Sequence, residues 1–376
     1  MLTADVLVRL LRHVYPRVTF VRNITDVDDK ITARARANGE DIGSLTQRTT
    51  EEFHQDLASM NVLPPDIEPR ATHNIGEMQA MIARLIKNGH AYEAEGHVLF
   101  SVGSFPSYGA LSGRNPEDLE AGARVEVAPY KKAPGDFVLW KPSDADQPGF
   151  DIHGGGSDLL FPHHENERAQ SMCCFPHGKF ANYWVHNAML LVEGEKMSKS
   201  LGNFLTIRDV LAQAPAEALR LLLLGAHYRS TLNYTQAGLQ EARKTLDRFY
   251  RALAAGPVPK TDVPEGVLQA LADDLNTPKA IAELHALAAQ ALAGDRQAAG
   301  ALKAGAGMLG LLQGDPEQWF KGDASDEDAA IEALINERLA ARKARDFAKA
   351  DALRDQLQAQ GIVLEDTKDG TSWRRA

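Results

Sequence analysis

Residues 151–167, Asp151-Ile-His-Gly-Gly-Gly-Ser-Asp-Leu-Leu-Phe-Pro-His-His-Glu-Asn-Glu167, restrict this chain more than any other stretch. Three consecutive glycines precede an acid, Asp158, and two histidines and two glutamates then crowd into five residues. A glycine-rich turn lets backbone N–H groups come close to phosphate, which a Cβ would obstruct. Downstream, Glu195-Lys-Met-Ser-Lys-Ser-Leu-Gly-Asn203 is a short loop whose two lysines, Lys196 and Lys199, supply compensating charge. Together the two stretches read as a nucleotide site with a metal beside it.

The rest of the chain sets the bounds. At 376 residues, 44% of them hydrophobic, it is long enough for two or three domains. No run of about 18 apolar residues is present, so no membrane span is expected. The start lacks the basic region and cleavage site of a signal peptide. Two adjacent cysteines, Cys173 and Cys174, cannot form a disulfide framework, which points to a reducing, cytoplasmic setting. With a net charge of −10, a nucleic-acid partner must be met by local basic patches.

Periodicity predicts a helix over residues 3–15, with Leu7, Leu10, Leu11 and Val14 on one face, ended by Pro16. Residues 18–24 are rich in β-branched side chains and read as a buried strand. A doubly wound sheet normally begins with a strand, so a helix feeding a strand suggests an α/β sheet whose first strand is missing. The acids of Thr25-Asp-Val-Asp-Asp-Lys30 are read as capping and first-turn carboxylates rather than a metal site. Helices follow near 45–61 and 74–88, then a hairpin turning at Glu95-Gly96. Residues 207–224 read as one apolar helix and 234–255 as another. The Pro-rich stretch 256–264 is the clearest domain boundary. Beyond it lie an Ala/Leu-rich helical region, an acidic linker at 314–328, a helical pair at 329–345 and 346–360, and a short tail.

Lys196-Met-Ser-Lys-Ser200, followed by Leu-Gly-Asn203, is similar to the mobile loop of class I aminoacyl-tRNA synthetases. In that class the loop's lysines neutralise the departing pyrophosphate, where preorganised cations matter most. Within the class, essentially the whole chain resembles the cysteinyl-tRNA synthetase family. The resemblance rests on Arg22-Asn-Ile-Thr-Asp-Val-Asp-Asp-Lys-Ile31, Asp136-Phe-Val-Leu-Trp-Lys141, residues 151–167, Asn182-Tyr-Trp-Val-His186, His227-Tyr-Arg-Ser230 and Trp373-Arg-Arg375, in the family's order.

The resemblance implies a class I α/β fold: a Rossmann-like parallel sheet core followed by an all-α anticodon-binding region. It divides the chain into a first catalytic segment at 1–50, a connective region at 51–150, a second catalytic segment at 151–255, a helical anticodon-binding domain at 265–320 and an anticodon-recognition subdomain at 325–376. It implies a monomer that joins cysteine to its tRNA in two ATP-dependent steps, with Mg2+ accompanying ATP. It further implies Zn2+, which selects cysteine over serine because soft sulfur suits zinc better than a hydroxyl does. By matching position, Gly156 and Asp158 bind the ATP ribose, Lys196 and Lys199 serve the phosphates, and Thr25 lies near the cysteine pocket. His163 and Glu167, at i and i+4 on one helix face, match two of four zinc ligands.

The chain departs from the family in two places. It starts inside the helix that follows the family's His-Ile-Gly-His segment, which carries one cysteine ligand. Between Pro148 and Phe150 it lacks a Trp-His-Ile-Glu-Cys segment that carries another. Two protein ligands hold zinc weakly, and Cys173 and Cys174 read as small buried hydrophobes rather than substitutes. Activation is therefore expected to be impaired. Toward tRNA, Arg338, Arg342, Lys343, Arg345, Lys349 and Arg354 concentrate positive charge, and Trp373 beside Arg374 is expected to stack on an unpaired base. The competing expectation is a catalytically inactive tRNA-binding paralogue. A related ligase that joins cysteine to an amine-bearing sugar lacks the anticodon tail, so residues 325–376 argue against it.

Overall fold

The computed structural model describes residues 1–114, 129–140, 150–175, 179–198, 202–321, 326–367 and 370–375. They form two compact units, residues 1–212 with 226–235, and residues 213–225 with 236–376. Lys199 and residues 141–149 lie outside the described residues.

The first unit opens with helices α1 (Leu2–Val14), α2 (Asp29–Asn38), α3 (Ile42–Ser59) and α4 (Ile75–Lys87). Asp28 caps α2 by accepting from the Lys30 N–H, while buried Asp26 takes the backbone and hydroxyl hydrogens of Thr72. The acids at the start of α2 are thus structural, as their spacing predicts.

Residues 18–24 do not form the buried strand expected of them. They touch the chain ahead of α4 through two isolated parallel bridges, Val21 with Ile67 and Ile24 with Arg70. The partner segment contains Pro64, Pro65 and Pro69, which cannot donate to a ladder, and Ile67 is exposed.

An antiparallel sheet follows, made of β1 (Ala91–Ala94), β2 (His97–Phe100) and β3 (Phe137–Trp140). Its hairpin turns on Glu95 and Gly96, both at positive φ, the conformation a two-residue turn requires. Buried Asp136 locks this sheet, accepting from the Tyr92 hydroxyl and from the backbone of Val102 and Ala133.

The chain then supplies β4 (Phe150–Gly156), α5 (Glu165–Cys174) and β5 (Ala181–Asn187), with β4 and β5 parallel. A second sheet joins β6 (Leu190–Val192) antiparallel to β7 (Glu195–Lys196) and parallel to β8 (Leu232–Tyr234). These parallel pairs are the α/β core that the sequence predicts.

Cys173 and Cys174, at the end of α5, are buried with Leu85, Phe100 and Tyr108. Burial pushes the Cys173 thiol up to about 11. At pH 8 a disulfide reagent should therefore label neither cysteine in the native protein and both after denaturation. A fast-reacting native thiol would contradict this packing.

The apolar run 207–224 is two helices rather than one: α6 (Ile207–Leu211) in the first unit and α7 (Ala216–Leu224) in the second. Thr206 and Asp209 close a capping box on α6, and Pro215, extended at ψ 145°, separates the two helices.

The second unit continues with α8 (Gln236–Ala254), α9 (Glu265–Ala272), α10 (Thr277–Leu292), α11 (Arg296–Met308), α12 (Pro316–Lys321), α13 (Asp326–Lys343) and α14 (Phe347–Ala359). The hairpin of β9 (Ile362–Thr367) and β10 (Gly370–Arg375) ends it.

The Pro-rich stretch 256–264 falls within residues 236–376 of this unit. The Arg296 guanidinium bonds the carbonyls of Ala252, Leu253, Pro257 and Gly256, tying the end of α8 to the start of α11. Among the described residues no helix is long and apolar enough to cross a membrane.

Candidate functional site

The site is built where β4 ends. Register places His153 opposite Trp184 of β5, Gly155 opposite His186 and Gly156 opposite Asn187. In a parallel sheet, ligands bind beyond the carboxyl ends of the strands, and here those ends run into the glycines. The glycines are required by close approach. A Cβ on Gly154 would lie 2.7 Å from the Val185 carbonyl, and one on Gly155 would lie 2.9 Å from Leu159 Cδ1 and 3.2 Å from His164 Nε2. A Cβ on Gly156 would collide with the Asp158 carboxylate. Gly156 and the exposed Asp158 are therefore in contact at the strand's end.

The four charged or titratable side chains of His163-His-Glu-Asn-Glu167 take four different positions. Glu165 is fully buried and accepts from the backbone and hydroxyl of Ser112 and from Arg168, so it holds the loop before residue 115 against α5. Glu167 receives His153 Nε2 on one oxygen at 3.0 Å and His163 Nε2 on the other at 3.2 Å. Burial alone would raise the Glu167 carboxyl, but the two histidine bonds outweigh it and bring it down to about 2. The bond to Glu167 raises His163, which stays largely exposed.

His164 is buried, and burial lowers it to about 4. Its Nδ1 lies 2.8 Å from His186 Nε2. Trp184 stands beside the rings of His153, His164 and His186 at 5.2, 5.5 and 6.1 Å.

Among the described residues, His153, His164 and Glu167 are the group that could hold a metal ion, with one donor atom from each lying within 4.8 Å of the others. Two imidazoles and a carboxylate fit a divalent ion of borderline softness such as zinc. Of the two ligands expected from sequence, Glu167 belongs to this group and His163 stands outside it, bonded to the carboxylate's other oxygen. No sulfur joins the group among the described residues, since both cysteines are buried in the cluster with Leu85 and Phe100. Sequence reasoning missed His153, His164 and His186. The density of histidines was visible, but their convergence depends on the β4–β5 register.

Lys196 is exposed on β7, in a different sheet from β4 and β5. Asn203 anchors the loop that follows, its carbonyl oxygen accepting from the Ser198 N–H and its amide donating to the Lys196 carbonyl. The asparagine of the Leu-Gly-Asn extension thus pins the start of the lysine loop. Thr25 is exposed just after the bridge at Ile24.

At the other end of the chain, Arg342, Lys343 and Arg345 are exposed around the elbow between α13 and α14. Trp373 does not offer its face to a base. It is buried with Ile331, Ile335, Leu357 and Ile362, and its indole donates to Glu332. Alternation on β10 turns this residue inward, where an aromatic contributes most to a small core. Arg338 is likewise buried, Lys349 pairs with Glu337, and Arg354 pairs with Asp351 and Asp355, so the exposed positive patch is narrower than the charge count suggests. Arg374 falls on β10, and its side chain lies outside the described residues.

A parallel core with a glycine run and an acid at its strand ends, and an asparagine-pinned Lys-Met-Ser loop, define a class I aminoacyl-tRNA synthetase. Residues 1–151 and 147–244 match the family described as the tRNA synthetases class I (C) catalytic domain. Residues 266–313 match the DALR domain, and 324–374 match the cysteinyl-tRNA ligase anticodon binding domain. A cysteine–tRNA ligase of Gluconobacter oxydans is 62% identical, the match covering 100% of this chain and 89% of that protein. One from Acidiphilium cryptum is 57% identical over 99% of this chain and 89% of its own length. The chain belongs to the cysteine–tRNA ligase family. Among solved structures, a Mycobacterium tuberculosis methionyl-tRNA synthetase in complex with methionyl-adenylate has a TM-score of 0.50 at 14% identity, covering 82% of this chain and 85% of that one; the likeness concerns the fold alone.

Proposed function

We propose that this chain is a cysteine–tRNA ligase whose activation of cysteine is impaired. In the first step a cysteine carboxylate oxygen attacks the α-phosphorus of ATP, forming the mixed anhydride and releasing pyrophosphate. In the second, a hydroxyl of the tRNA's terminal ribose attacks the activated carbonyl and AMP leaves. Asp158 holds the ATP ribose beside Gly156, and Lys196 with Lys199 stabilises the departing pyrophosphate, whose charge a Mg2+ ion accompanying ATP would help neutralise. Thr25 lies at the cysteine pocket. A zinc ion, when bound, supplies selectivity for sulfur, and the imidazoles and carboxylate of the β4–β5 cluster would hold it.

The observation that carries the impairment is the break in the catalytic-domain match. It falls at residues 147–151, where the resemblance places the segment with the family's tryptophan and thiolate. The alignment with the Gluconobacter relative runs over 404 positions for a chain of 376 residues, so about 28 positions lack a counterpart here. Cysteine-dependent ATP–pyrophosphate exchange is expected to fall about 100-fold or more below that of an intact synthetase. Exchange at a working rate would overturn the impairment.

The DALR and anticodon-binding matches are unbroken and both fall in the second unit, which favours tRNA binding as the retained property. In this reading Arg342, Lys343 and Arg345 contact the tRNA backbone, and Phe347, 63% exposed beside them, offers the stacking face that Trp373 does not. Binding should weaken steeply with salt and ignore cysteine and ATP. Zero exchange together with such binding would identify the inactive tRNA-binding paralogue.

A further inference from the structure

We propose that Trp319 is a positioning residue for tRNA. It clamps α12 onto α8 and so fixes where the terminal subdomain of α13, α14 and the β9–β10 hairpin stands on the helical bundle. The proposal rests on the reading that tRNA binding is the property this chain retains.

Three observations carry it. The first is place. Residues 314–328 have the composition of an acidic linker, with Asp315, Glu317, Asp323, Asp326, Glu327 and Asp328. A free linker of that length would span about 20 Å with wide scatter, leaving the subdomain to wander. Instead Pro316–Lys321 coils into α12, started by Asp315, whose carboxylate accepts from the Glu317 and Gln318 N–H groups. This short helix touches both α8 and β10.

The second is the seat. On α8, Arg243, Asp247 and Tyr250 recur at i, i+4 and i+7, so they share one face. Trp319 meets all three. Its ring stacks on Tyr250, with centroids 4.4 Å apart and planes 16° from parallel. The Arg243 guanidinium lies 4.4 Å from the ring centroid, close enough for a cation–π contact. The indole N–H donates to Asp247 Oδ1 at 2.8 Å, the same oxygen that Arg243 Nε reaches at 3.0 Å.

The third is what the seat leaves alone. Trp319 is half-buried, whereas Leu246, Phe249, Leu284 and Leu302 of the same unit are fully buried. Its partners are a ring face, a cation and a carboxylate, which orient more than they fill space. Without the indole, Tyr250 keeps its bond to Glu217 and receives the Gly314 N–H as before, so α8 stays anchored while α12 comes loose. A subdomain held in place before tRNA arrives binds without the cost of ordering it at that moment.

The experiment uses the full chain with nitroxide labels on Gln290→Cys of α10 and Gln358→Cys of α14, both exposed positions. Cys173 and Cys174 are buried and stay unlabelled. Pulsed electron paramagnetic resonance should give one narrow distance in the parent chain and a broad distribution in Trp319→Ala. Trp319→Phe, which keeps the stack and the cation contact, should restore the narrow one. Asp247→Ala strips the indole of its acceptor from outside α12 and should also broaden it. Circular dichroism of each variant separates release of α12 from unfolding. In filter binding, tRNA affinity should fall about tenfold in Trp319→Ala and return to within about threefold in Trp319→Phe. The slope of log affinity on log salt should stay at the parent's value, because no phosphate contact is lost. Arg345→Ala should do the reverse, flattening the slope and leaving the distance narrow. A broad distribution in the parent, a narrow one in folded Trp319→Ala or Asp247→Ala, or a flattened slope in Trp319→Ala would each overturn the clamp. A parent chain with a narrow distance and no tRNA binding would instead retire the tRNA-binding reading and leave the clamp standing.

Discussion

Glu217→Ala is expected to destabilise the second unit by about 3–5 kcal/mol, the cost of stripping a buried charge-assisted network of its acceptor. Glu217 is buried on α7, and its carboxylate accepts from the backbone of Leu312 and Gln313 and from the Tyr250 hydroxyl, each at 3.0 Å. Those three donors belong to α8 and to the turn after α11, so one side chain joins three segments. Alanine would leave two backbone N–H groups without an acceptor in a site closed to water. Glu217→Gln should cost less but not nothing, because an amide offers one acceptor oxygen where two are used. Urea unfolding of both variants against the parent chain measures this; a loss under about 1 kcal/mol for the alanine variant would show that water reaches the turn. The same turn receives fully buried Arg220, whose guanidinium donates to the Leu309 carbonyl and leaves no room for a Cβ on Gly310.

Trp373→Ala is the second large effect, about 3–5 kcal/mol, confined to the subdomain of α13, α14 and the terminal hairpin. The indole fills the space between Ile331, Ile335, Leu357 and Ile362 and donates to Glu332 at 2.8 Å. Trp373→Phe keeps most of the apolar contact and gives up the hydrogen bond, so it should retain the fold and hold tRNA affinity within a few-fold. Phe347→Ala should do the opposite: fold normally and lose tRNA affinity by the worth of one stacked base, about 1–3 kcal/mol. Denaturation curves and filter binding on the three variants test packing against stacking. If Trp373→Phe is fully folded yet binds tRNA as poorly as Phe347→Ala, the indole contacts RNA after all.

Local features were legible wherever chemistry and spacing lie within one short stretch. The lysine loop, the glycine run, the cap at Asp28, the hairpin at Glu95-Gly96 and most helix limits belong here. The longer apolar run at 207–224 misled because periodicity outweighed Pro215, which was in view. The strand at 18–24 misled because its own residues favour extension, while its proline-bearing partner, remote in sequence, decides whether a ladder forms. Trp373 and Arg338 misled for a shared reason: an aromatic or a cation near a basic tail looks the same in sequence whether it faces water or a core.

The sequence by itself determined the family and the residues available for chemistry, because these are properties of composition and order. Only the tertiary structure decided which of the four clustered histidines converge on Glu167. That choice follows from the parallel register of β4 on β5, in which a slip of one residue would turn His153 to the opposite face of the sheet. The stretch at 151–167 names the titratable side chains on offer; the strand beside it selects which of them meet.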